Sequence, residues 1–154
     1  MIQRIQTLYL LAAVALMVIF SLSTFALFIA PDQIYTMSAM GLEMHDGTMM
    51  YRLPHLIIVA ALASLLPLVN IFFFKKRMLQ VRLCVVQIVL TVGVLAIAGV
   101  YYYLGNRTLG VGAGGDSTLR IVCALPFVAM FFDYLALKAI FKDELLVKSL
   151  DRIR

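Results

Sequence analysis

Apolar residues fall in four long runs separated by short polar stretches. The first opens after Arg4 and continues without a charge to Ala30, where Pro31-Asp32 stops it. The second opens at Pro54 and is closed by Lys75-Lys76-Arg77. The third extends from about residue 80 to Leu104 and ends in the aromatic triplet Tyr101-Tyr102-Tyr103, as expected at a membrane–water interface. The fourth covers about Thr118 to Phe141. About 20 helical residues cross a hydrocarbon core of ~30 Å, and each run is at least that long. The pattern predicts an all-α membrane protein, a bundle of four transmembrane helices at about 5–30, 54–74, 80–104 and 118–141.

The remaining stretches are short. Residues 31–53 and 105–117 read as outer loops, the first rich in methionine and the second in glycine. Residues 142–154 read as a cytoplasmic tail that extends the fourth helix, with Leu146, Leu150 and Ile153 at helical spacing and Glu144 four before Lys148. None of these stretches is long enough to form a core of its own, so residues 1–154 make a single membrane domain. Pro54 suits a first helical turn. Pro67 and Pro126 predict kinks, with Ser64 placed to serve the carbonyls that Pro67 frees. The first run is roughly twice the apolar length of a signal peptide and reads as an uncleaved anchor.

Composition agrees with this reading: 64% of residues are hydrophobic and 14% charged. The net charge of +5 is topogenic rather than a sign of nucleic-acid binding, because the cations cluster at helix ends. With the N-terminus inside, Arg4, Lys75, Lys76, Arg77, Arg82, Lys138, Lys142, Lys148, Arg152 and Arg154 face the cytoplasm. Arg52, Arg107 and Arg120 face out. The positive-inside rule therefore predicts both termini in the cytoplasm.

Candidate chemistry is sparse. Asp133 is the one acid deep in an apolar run, and an intramembrane ionisable group is a functional candidate by default. Measured from the flanking cations, Asn70, Gln87 and Asp133 fall at one depth on three helices, a predicted polar layer that Gln6, Thr7 and Tyr9 can join. Such a layer either glues helices together or holds an ion or proton. A further option pairs Asp133 with Arg82 or Lys138. Cys84 and Cys123 lack any metal or redox spacing. His45, Asp46 and Glu43 form only a loose set, and Gly110 to Gly115 lacks the endings of phosphate-binding loops. No catalytic constellation, cofactor or metal is expected. The tail reads either as an amphipathic helix on anionic headgroups or as a docking surface for a partner.

The two ends, MIQRIQTLYLL and KDELLVKSLDRIR, resemble those of a family of small membrane proteins of Bacteroidota built around a domain of unknown function. The resemblance covers the whole chain. It implies the inner membrane of a Gram-negative bacterium and carries over no catalytic residue. Gln3, Arg4 and Gln6 match at one end, and Lys142, Asp143, Glu144, Lys148, Asp151 and Arg152 at the other. A cytoplasmic interaction surface is expected from Arg4, Asp143, Glu144, Leu146, Lys148, Leu150, Asp151, Arg152 and Ile153, with Arg4 set to pair with Asp143 or Glu144. The expected role is a non-enzymatic accessory or scaffold subunit that binds other membrane proteins. The alternatives are a small oligomeric transporter or channel using the layer around Asp133, or lipid handling through the Met-rich loop and Tyr101 to Tyr103. Membrane lipids, and a membrane-protein partner or a second copy, are the expected partners.

Overall fold

The structure is a computed structural model that describes residues 2–30, 33–73, 76–109, 111 and 115–151, with side chains for 5–30, 33–73, 76, 78–109, 111 and 115–146. Helices α1 (Ile2–Leu22), α2 (Pro54–Phe72), α3 (Arg77–Thr108) and α4 (Leu125–Asp151) are joined by strands β1 (Thr24–Ile29), β2 (Ile34–Ser38), β3 (Gly41–Met44), β4 (Met49–Arg52) and β5 (Asp116–Leu119). Each helix contains a stretch long and apolar enough to cross a membrane. Helix α1 packs on α2 and α4, and α3 packs on α2 and α4, so the helices close a ring in chain order. Fully buried Ala13, Ala60, Ala63, Ala129 and Ala136 let the backbones approach closely. Leu65, Val89 and Phe131 point outward, as lipid-facing side chains do.

The all-α expectation is corrected by a five-stranded antiparallel sheet in the order β4-β3-β2-β1-β5. It caps the end of the bundle opposite the chain termini. The first apolar run holds two elements. Helix α1 stops at Leu22, not Ala30, and Thr24–Ile29 becomes the second strand from one edge. A strand covered on both faces is as uniformly apolar as a helix, so periodicity cannot separate them. Phe25, Ala26 and Phe28 are buried there, and Phe25 stacks on Phe20 with ring centroids 5.6 Å apart. The stretch expected as loop 31–53 supplies β2, β3 and β4. Gly47, at φ 76°, makes the β3–β4 turn, where its N–H donates to the Met44 carbonyl.

The second expected loop is corrected in the same way. Residues 105–108 belong to α3, and 116–119 form β5, which pairs with β1 rather than opening the fourth helix. Arg120 locks that pairing: its N–H donates to the Phe25 carbonyl, and its guanidinium donates to Thr24 Oγ1 at 2.7 Å. Gly105 allows α3 to run under the sheet, since a Cβ there would stand 2.9 Å from the Phe28 ring. Pro126 lies in the first turn of α4, where a missing N–H costs nothing, so the expected kink is replaced by a helix start after the 3-10 turn Ile121–Ala124. The predicted continuation of the fourth helix into the tail is present as far as Asp151.

Candidate functional site

Helix α3 turns one stripe inward along its length: Gln80, Cys84, Gln87, Thr91, Val94 and Ala98, all buried at alternating spacings of four and three. The half nearest the termini is polar, and the half nearest the sheet is apolar. That stripe organises the interior site. Near the α2–α3 link, Asn70 Nδ2 donates to the Gln80 carbonyl at 3.4 Å and reaches Cys84 Sγ at 3.2 Å. Gln80 Nε2 donates back to the Asn70 carbonyl at 3.1 Å. This reciprocal pair ties the last turn of α2 to the first turns of α3.

One helical turn further in, Pro67 removes the N–H that would close on the Ala63 carbonyl. Gln87 Nε2 of α3 donates to that carbonyl. Ser64, expected to serve there, instead donates to the Ala61 carbonyl at 2.8 Å. The proline defect is thus satisfied across helices, by a residue of the predicted polar layer. Thr91 Oγ1 donates to the Gln87 carbonyl at 3.0 Å and braces the same turn.

Asp133 of α4 faces Gln87 and Cys84 from the other side. It is 0% exposed. It lies within the candidate span Ile121–Leu146, five residues before Lys138. Neither expected cation reaches it: Arg82 and Lys138 are exposed, and both carboxyl oxygens lack a hydrogen-bond partner among the described residues. Asn70 Oδ1, Gln87 Oε1 and Gln6 Nε2 are likewise buried without partners. Among the described residues the interior therefore offers four oxygen acceptors, two on Asp133 and one each on Asn70 and Gln87. Such a set can hold helices in register or hold a proton or hard cation.

Asn70 reaches Cys84, Cys84 and Gln87 face Asp133, and Gln6 is buried on α1. The Tyr9 ring is tilted against Phe132, with centroids 6.2 Å apart. Gln80 and Thr91 escaped the sequence reading, although their spacing with Gln87 marked one helix face. At the termini end, Asp143 and Leu146 line a shallow groove of about 300 Å³ with Ile5, Tyr9 and Lys142. The side chains of Arg4, Lys148, Leu150 and Asp151 lie outside the described residues, as do Arg152 and Ile153, and with them the expected Arg4 pairing. At the sheet end, β4 is an edge strand with all four residues exposed. Behind it a cleft of about 320 Å³ separates the sheet from α3.

The domain of unknown function DUF4293 matches residues 2–153. The chain belongs to that family. The match spans nearly the whole of this DUF4293 protein, so bundle and sheet fall within one domain. No curated protein matches the sequence.

Proposed function

We propose that this DUF4293 protein is a non-enzymatic accessory subunit of a bacterial inner membrane, holding another membrane protein against the outer face of that membrane. The supporting observation is the open edge of the sheet. Among the described residues strand β4 pairs only with β3, and Met49, Met50, Tyr51 and Arg52 are all exposed. Its outer row of backbone donors and acceptors is a template for a strand from a partner, and its apolar side chains supply contact area. Charge asymmetry supports the orientation: by position in the sequence, ten of the thirteen Lys and Arg belong to the two ends and the α2–α3 link, which reads as cytoplasmic, so the sheet faces the periplasm. The end motifs support a Bacteroidota source. Mild solubilisation from the native membrane followed by identification of co-purifying chains tests the reading. A particle containing this chain alone counts against it.

A second reading, a small oligomeric transporter or channel, draws on the buried carboxyl of Asp133, which lies within a candidate membrane span. Flux into proteoliposomes that falls on Asp133→Asn would support it. Flux that is absent, or unchanged by the substitution, would sink it.

A further inference from the structure

We propose that the groove between α1 and α4 at the termini end holds one anionic phospholipid by its phosphate. The groove has a volume of about 300 Å³, and its lining includes Ile5 and Tyr9 of α1 and Leu135, Lys138, Lys142 and Asp143 of α4. On each helix these residues recur at spacings of three and four, so each wall is a single helix face. Every lining residue falls within the candidate membrane spans Ile5–Leu22 and Ile121–Leu146. Ile5, Lys138 and Lys142 are exposed, so the groove opens outward from the bundle. With both helices in a bilayer, lipid is what surrounds it.

Charge selects the phosphate. Lys138 and Lys142 stand one helical turn apart in the lining, and neither has an ion-pair partner among the described residues. Asp143, the acid beside them, is engaged in an interaction of its own. An ammonium within a membrane span is stabilised by an anion at its own depth. Near the end of a span, the abundant anion is the phosphate of a lipid headgroup. Each lysine offers three N–H donors, and the Tyr9 hydroxyl, with no hydrogen-bond partner among the described residues, offers another from the facing helix. Ile5 and Leu135 leave an apolar wall for the start of an acyl chain. A zwitterionic lipid would bring its own ammonium against the same two lysines, so an anionic headgroup is favoured. The inference rests on the membrane placement of α1 and α4 and is independent of the accessory reading.

The test uses the full chain in nanodiscs containing equal amounts of phosphatidylglycerol and phosphatidylethanolamine. A photocrosslinking amino acid placed at Ile5 captures lipid in the groove, and mass spectrometry identifies the adduct. Val69, exposed on α2 and close in sequence to the basic cluster Lys75-Lys76-Arg77, is the control for anionic lipid drawn to any cation. The ratio of phosphatidylglycerol to phosphatidylethanolamine adducts at position 5 should exceed that at position 69 by roughly fivefold. Lys138→Gln with Lys142→Gln should bring it down to the level at position 69. Equal ratios at the two positions in otherwise wild-type protein would overturn the proposal. So would a ratio at position 5 that the double substitution leaves unchanged while Cys84 stays protected from alkylation. The comparison of positions 5 and 69 decides even if the lysine variant fails to fold.

Discussion

Replacing Gln87 by Leu breaks the bond that repairs α2 at Pro67, and a second substitution shows whether that is why it matters. In the wild type the Ala63 carbonyl has no helical donor, because residue 67 is proline, and Gln87 Nε2 supplies one from α3. Both Ala63 and Gln87 are essentially unexposed. An interhelical hydrogen bond in a membrane protein contributes about 0.6 kcal/mol on average and up to ~1.7, and an orphaned buried acceptor costs about 1–3 kcal/mol. Gln87→Leu should therefore destabilise the bundle by about 1–2 kcal/mol. Pro67→Ala restores an N–H at position 67 that closes on Ala63. In that background the Ala63 share of the loss should vanish, giving a coupling of about 1 kcal/mol between the two sites. Any contribution from Gln87 to Asp133 is common to both backgrounds and cancels.

Cys84 provides the probe. Its side chain is fully buried, and in a Cys123→Ser background its alkylation in detergent–lipid micelles reports opening of the bundle. A coupling of that size changes the opening equilibrium by about fivefold. If Gln87→Leu costs the same with proline or alanine at position 67, the proposed repair is wrong.

Other consequences follow from the same contacts. Asn70→Leu removes the side-chain bonds to the Gln80 carbonyl and Cys84 Sγ, leaves the Gln80 bond to the backbone carbonyl of residue 70, and should speed Cys84 alkylation, with a stability loss of about 1 kcal/mol. Gly105→Val drives a side chain into Phe28 and Met37 and should lower the melting temperature, at a cost of roughly 1–3 kcal/mol. Gly47→Ala forces a left-handed conformation on a residue with a Cβ. It should cost about 1 kcal/mol in thermal unfolding without altering the helices by circular dichroism.

The bundle was legible because its signals are local. Long uncharged runs, Pro54 at a helix start and cations at the helix ends survive any tertiary context. The burial of Asn70, Gln87 and Asp133 was legible for a related reason: polar residues inside long apolar runs stand out as interior candidates. The sheet was not legible. Its strands are four to six residues long, too short for alternation to register. The pairing at one edge joins Ala26–Ile29 to Asp116–Leu119 across most of the chain, which no window detects. A local hint did exist: Asp46-Gly47 between two methionine-bearing segments is a hairpin turn signal. The partner of the Pro67 defect was equally hidden. Sequence proximity favoured Ser64, three residues away, but the helix ring brings α3 against α2 and presents Gln87.

The accessory reading stands or falls on what touches the edge strand in the native membrane. A photocrosslinking amino acid placed at Tyr51, which is 71% exposed on β4, is the most direct probe, with Leu65 on the lipid-facing side of α2 as control. The account predicts a discrete adduct between position 51 and a different membrane protein, absent from position 65. Adducts only to a second copy of this chain, or none at position 51, would contradict it.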